Sequence, residues 1–137
     1  MVVRFGLLYS AECWPIKKSQ VQMIRVVEMR MIRWMCGHTR FDKIRNGVIR
    51  CKIGVTPIKN KIRKARLRSF GHVRRRSMDA PVRKCENIDR LDYKRSRGRP
   101  KKSCSEIIRH DLKTLALAED MSQDRTLWRS RINVADF

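Results

Sequence analysis

Apolar residues recur along this chain every three or four positions, the spacing that places them on one face of an α-helix. The first such run spans Ser19 to Cys36. Val21, Ile24, Val27, Met31 and Met35 make its stripe, and Met23, Ile32 and Trp34 widen it. Ser19 and Gln22 stand at capping-box spacing, and Gly37 follows the last apolar residue as a stop. Thr39 to Ile53 predicts two short helical turns interrupted near Asn46-Gly47. Thr56 as N-cap and Pro57 at the first helical position open a longer helix to about Arg76. Its apolar stripe is Ile58, Ile62, Ala65, part of Leu67, Phe70 and Val73.

Ser77 to Lys102 holds two prolines and a glycine among polar residues and reads mostly as a linker. Ser103 with Glu106 starts a helix carrying Ile107, Ile108, Leu112, Leu115 and Ala116. Ser122 is expected to cap a last helix carrying Trp128 and Ile132. Only Val2 to Tyr9 alternates as a strand would. The expected fold is mainly α: a loose helical bundle with a basic linker, only marginally ordered by itself. The expected segments are 1–18, 19–76, 77–102 and 103–137.

Charge changes this picture. The 137 residues carry a net charge of +21, and self-repulsion of that size opposes compaction unless a polyanion neutralises it. From Pro57 to Met78 there are nine Lys or Arg and no Asp or Glu, whereas Ser103 to Phe137 has five basic and six acidic residues. The middle of the chain therefore reads as a polyanion-facing element and the tail as a packing element. Nucleic acid is the favoured polyanion, through its phosphates, ahead of an acidic membrane surface. No apolar run approaches the roughly 20 residues of a membrane span. The N-terminus lacks the long apolar region of a signal peptide. Cys13, Cys36, Cys51, Cys85 and Cys104 show no CxxC spacing, so free thiols in a reducing compartment are expected.

Candidate chemistry is sparse. The local patterns contain no nucleophile–base pair, phosphate-cradling glycine loop or paired carboxylates. The adjacent Glu119-Asp120 would point in different directions on a helix. A polymerase needs at least two carboxylates converging on metal ions, so no enzyme activity and no cofactor are expected. Cys36-Gly37-His38 offers one close thiol–imidazole pair, but zinc sites need two such pairs, and a helix end with a buried thiol is the favoured reading. The Met-rich stripe of the first helix reads as a core or docking face. The basic helix suits phosphate contact better than calmodulin or membrane binding, because cations surround it nearly all round. Its candidate contacts are Lys59, Lys61, Arg63, Lys64, Arg66, Arg68, Arg74, Arg75 and Arg76.

A second candidate is Arg97-Gly98-Arg99-Pro100-Lys101-Lys102. As a minor-groove hook, Gly98 would let the backbone approach the groove floor, Pro100 would hold the chain extended, and Arg97 and Arg99 would follow the negative potential of a narrow A-tract. Composition alone favours the other reading, a flexible cationic linker.

Several stretches together resemble one family. "LLYSAECWPIKKSQVQ", "EMRMIRWMCGHTRFDKIRN", "ARLRSFGHVRRR", "RGRPKKS" and "DRTLWRSRI" resemble the C-terminal part of LINE-type non-LTR retrotransposon reverse transcriptases, most closely the endonuclease–reverse-transcriptase polyproteins of plants. The resemblance covers nearly the whole chain in the same order. It implies that 1–18 is a remnant of the palm–thumb junction. It further implies that 19–76 is a thumb-like region holding template–primer duplex, and that 103–137 is a terminal helical segment. The family's endonuclease and aspartate-bearing palm motifs lie upstream of what Leu7-Leu8-Tyr9 matches, so no catalytic residue carries over. Ser10, Ser69 and Gly47 depart from the family pattern. These departures imply a decayed element remnant that binds DNA and RNA without catalysis, with the palm as a further partner and the nucleus as its location. The competing classes are a small AT-hook-like DNA-binding protein and an open reading frame with no cellular role.

Overall fold

The computed structural model describes residues 9, 15–88, 97–98 and 103–133, with backbone alone for 86–88. Among them the chain is mainly α, with six α-helices and no strand: α1 Lys18–Met35, α2 Asn46–Ile53, α3 Ile58–Arg74, α4 Pro81–Ile88, α5 Cys104–Thr114 and α6 Arg125–Ile132. A 3-10 turn, Glu119–Ser122, precedes α6. The strand-like stretch 2–8 and most of the expected 1–18 junction lie outside the described residues. The chain divides into two compact units: the second runs from Arg66 to Ile132, and the first holds the residues up to Ala65 together with Asn133.

In the first unit, α1 starts at Lys18 because Gln20 Oε1 accepts the Lys17 N–H at 2.8 Å. Ser19 therefore lies inside the first turn and is not the cap. The buried stripe is also rotated from the expected one. Glu28, Met29 and Ile32 are buried, whereas Val27 and Met35 are exposed. The cause is Glu28, a polar residue that hydropathy places outside. Its carboxylate is fully buried and accepts from Arg50 Nη2 at 3.0 Å and from the Ile58 N–H at 3.3 Å. A buried charge is tolerable when paired and hydrogen-bonded in this way. The second contact also satisfies a helix N-terminal donor of α3. Pro57, not Thr56, occupies the cap position there: its carbonyl accepts from Asn60 at 3.0 Å, and Thr56 is buried just before it.

Cys36-Gly37-His38 is the stop of α1. His38 N–H reaches the Arg33 carbonyl at 2.9 Å and Gly37 N–H the Trp34 carbonyl at 3.1 Å, with Gly37 at φ 68°. This paired bonding is a Schellman motif, and its left-handed residue favours glycine. The Arg33 side chain then pins the loop that follows. It donates to the carbonyls of Thr39 (3.0 Å) and Ile44 (2.7 Å) and to Asn46 Oδ1 (2.8 Å). With its entry fixed this way, Asn46-Gly47 begins α2 and does not interrupt two turns. Gly54, at φ 66°, closes α2. Met29, Ile32 and Ile49 form one small core; Ile58 and Ile62, with Ile16 and Ile24, form another.

The second unit packs Leu67, Leu112, Trp128 and Ile132 together, flanked by Phe70, Ile108, Leu115, Leu117 and Met121. Leu67, expected to be partly inward, is fully buried. Trp128 donates from Nε1 to the Leu67 carbonyl at 3.0 Å and lies 6.2 Å, centroid to centroid, from the Phe70 ring. α5 starts as expected, with Ser103 Oγ accepting from Glu106 N–H and Glu106 Oε2 from Ser103 N–H, both at 3.3 Å. Ser122 is not the cap of α6; it is buried in the 3-10 turn. The cap is Asp124, whose Oδ1 accepts from the Thr126 hydroxyl (2.7 Å), Thr126 N–H (2.8 Å) and Leu127 N–H (3.1 Å). The Thr126 hydroxyl, and then the two amides, hold its carboxyl below the ordinary carboxylate value. α4 lies inside the stretch read as a linker. No helix of the described residues is long and apolar enough to cross a membrane.

Candidate nucleic-acid interface

Helix α3 and the two residues after it carry the nine cations expected to meet phosphate, and the fold sorts them into two groups. Arg66 is only 6% exposed; its Nη1 donates to Asp111 Oδ2 of α5 at 2.6 Å. Arg74 Nη2 meets Glu119 Oε2 at 2.7 Å while its guanidinium lies 5.7 Å from the centre of the Phe70 ring. Arg75 Nη1 donates to the Ser122 carbonyl at 2.7 Å. These three tie α3 to the rest of the second unit. Turning Arg66 outward would strand the mostly buried Asp111, at a cost of about 3–5 kcal/mol. Arg66, expected as a phosphate contact, is thus buried and committed to Asp111.

The second group lies nearer the surface. Lys59, Arg68 and Arg76 are exposed, and Lys61, Arg63 and Lys64 are half-exposed. Arg63 shares a 3.4 Å hydrogen bond with Asn60, and Arg76 lies 3.4 Å from His72 Nε2. Lys59, Arg63, Lys64, Arg68 and Arg76 form no ion pair among the described residues. Each unit thus offers its own uncompensated cations: Lys59, Arg63 and Lys64 in the first, Arg68 and Arg76 in the second.

The first unit also contains an arginine-lined cleft that charge counting along α3 overlooks. It is open, with a volume of about 300 Å³, and lies between α1, the following loop and α2. Its walls are Gln22, Arg25, Arg30 and Arg33 of α1, Arg40 of the loop, and Asn46 and Arg50 of α2, over Val26 and Met29. Among the described residues no acidic side chain lines it. Arg33 and Arg50 are held by the bonds described above, although Arg50 Nε is buried without a hydrogen-bond partner. Arg25, Arg30 and Arg40 are exposed and make no ion pair among the described residues. A sequence signal for part of this exists: positions 22, 26 and 30 and positions 30 and 33 repeat at helical spacing. Arg40 and Arg50 join them only through the loop that Arg33 pins.

Of the hook candidate, Arg97 and Gly98 are described and exposed, and Gly98 has φ 135°, a conformation that favours glycine. Arg99, Pro100, Lys101 and Lys102 lie outside the described residues. Cys36, Cys51, Cys85 and Cys104 form no disulfide among the described residues. Among the described residues no three His, Cys, Asp or Glu side chains gather as metal ligands would. No known family, no curated protein and no solved structure matches the chain.

Proposed function

We propose that this chain is a non-catalytic nucleic-acid-binding protein, a segment similar to the thumb and post-thumb part of LINE-type reverse transcriptases, acting in the nucleus. One observation carries the binding part of this reading. Among the described residues Lys59, Arg63, Lys64, Arg68 and Arg76 stand without acidic partners in a chain of net charge +21, although acidic residues are present and pair with Arg66 and Arg74 instead. Cations left unpaired in this way are suited to phosphates, whose neutralisation releases condensed counterions and makes binding favourable without base contacts. The retrotransposon part rests on the quoted stretches and their order along the chain. Binding through phosphates suits duplex DNA, RNA and hybrid alike.

The test is a variant with Lys59, Lys64, Arg68 and Arg76 all changed to Gln, positions whose exposed or half-exposed side chains leave the three small cores untouched. Its affinity for a mixed-sequence duplex at about 100 mM salt is expected to fall on the order of a hundredfold or more. Unchanged affinity, with the helical circular-dichroism signal retained, would remove these residues from the interface.

A further inference from the structure

We propose that the arginine cleft of the first unit is a second, separate site that holds a single-stranded nucleic-acid segment. The inference rests on the reading of the chain as a nucleic-acid binder, but on different residues. Arg25, Arg30 and Arg40, which among the described residues make no ion pair, converge on one open cleft of about 300 Å³ that no described acidic side chain lines. Guanidinium groups match phosphate oxygens in a planar, two-pronged geometry.

Two exposed aromatics next to the cleft arginines along the chain favour single strand over duplex. Trp34 is 83% exposed and sits one helical turn after Arg30 on α1. Phe41 is 92% exposed and directly follows Arg40. Large aromatic side chains this exposed are not core residues of either unit. Bases paired in a duplex have their faces covered, whereas unpaired bases stack on aromatic rings regardless of sequence. Cations on the backbone and rings on the bases are the combination that single-strand sites use. The apolar floor of Val26 and Met29 suits a sugar or base edge better than it would suit a second row of phosphates.

The experiment measures binding of the whole chain to labelled oligo(dT) and to a blunt hairpin duplex, for the wild type, R30Q/R40Q, W34A and the four-Gln α3 variant. Arg30, Arg40 and Trp34 are exposed, so the cores remain; circular dichroism checks this. R30Q/R40Q is expected to lower oligo(dT) affinity about tenfold or more, and W34A between about fivefold and a hundredfold. Both are expected to leave duplex binding within about twofold, while the α3 variant weakens duplex binding more than oligo(dT) binding. Retained oligo(dT) affinity in both R30Q/R40Q and W34A overturns the cleft and leaves the α3 interface standing. Equal loss on both ligands overturns the single-strand assignment. Displacement of oligo(dT) by poly-glutamate at equal charge concentration points to an acidic peptide and overturns it too. Failure of the wild type to bind either ligand overturns the cleft together with the reading on which it rests.

Discussion

At the scale of single residues, Gly71 shows how a motif residue earns its place by packing. It is buried in the middle of α3, where alanine has the higher intrinsic helix propensity by about 1 kcal/mol. A Cβ there would lie 2.7 Å from Cδ1 of Trp128 and closer still to its Nε1. The indole has no room to retreat, since it is buried and tied to the Leu67 carbonyl. Overpacking of this kind costs about 1–3 kcal/mol, enough to reverse the propensity gain. Gly71→Ala is therefore expected to lower the denaturation midpoint of the second unit, and unchanged or raised stability would contradict the Trp128 contact. The sequence made Trp128 and Phe70 recognisable as core residues through their spacing. It did not reveal that Gly71 sits against the indole, because that approach joins positions far apart in the chain. Glu28 was illegible for a similar reason: a carboxylate on an apolar stripe looks like a solvent position until Arg50 and the Ile58 amide are brought to it.

At the scale of elements, four of the long apolar runs became helices close to where periodicity placed them, because a stripe at helical spacing can be buried in no other way. The ends were less legible. Ser103–Glu106 formed its box, but Ser19, Thr56 and Ser122 gave way to Lys17 with Gln20, Pro57 with Glu28, and Asp124. Several cap candidates stand within two or three residues at each of these ends, and tertiary partners chose among them. The Asp124 cap gives a pH prediction. Its carboxyl is held below the ordinary value of about 3.8, so its ionised form favours the folded state. That contribution is present above about pH 4 and is lost as pH falls through the lowered folded value. Asn caps about as well but does not ionise. Asp124→Asn is thus expected to lose less stability than the wild type between pH 6 and pH 3 in chemical denaturation. Parallel losses would show that the carboxylate's hydrogen bonds do not favour its ionised form in the folded chain.

At the scale of the whole molecule, the excess positive charge was fully legible, whereas its division of labour was not. Composition cannot distinguish Arg66, which faces Asp111, from Arg68, which faces solvent. Nor can it show that the loop after α1 brings Arg40 to the cleft that Arg25 and Arg30 line. The central claim is that the cations left over bind nucleic acid through its phosphates. The most direct measurement is the equilibrium affinity of the wild-type chain for a mixed-sequence duplex as salt is raised from about 50 to 200 mM. Neutralisation of roughly six phosphates predicts a linear fall of log affinity with log salt, amounting to about a thousandfold across that range. Affinity that stays level across the same range would contradict the claim.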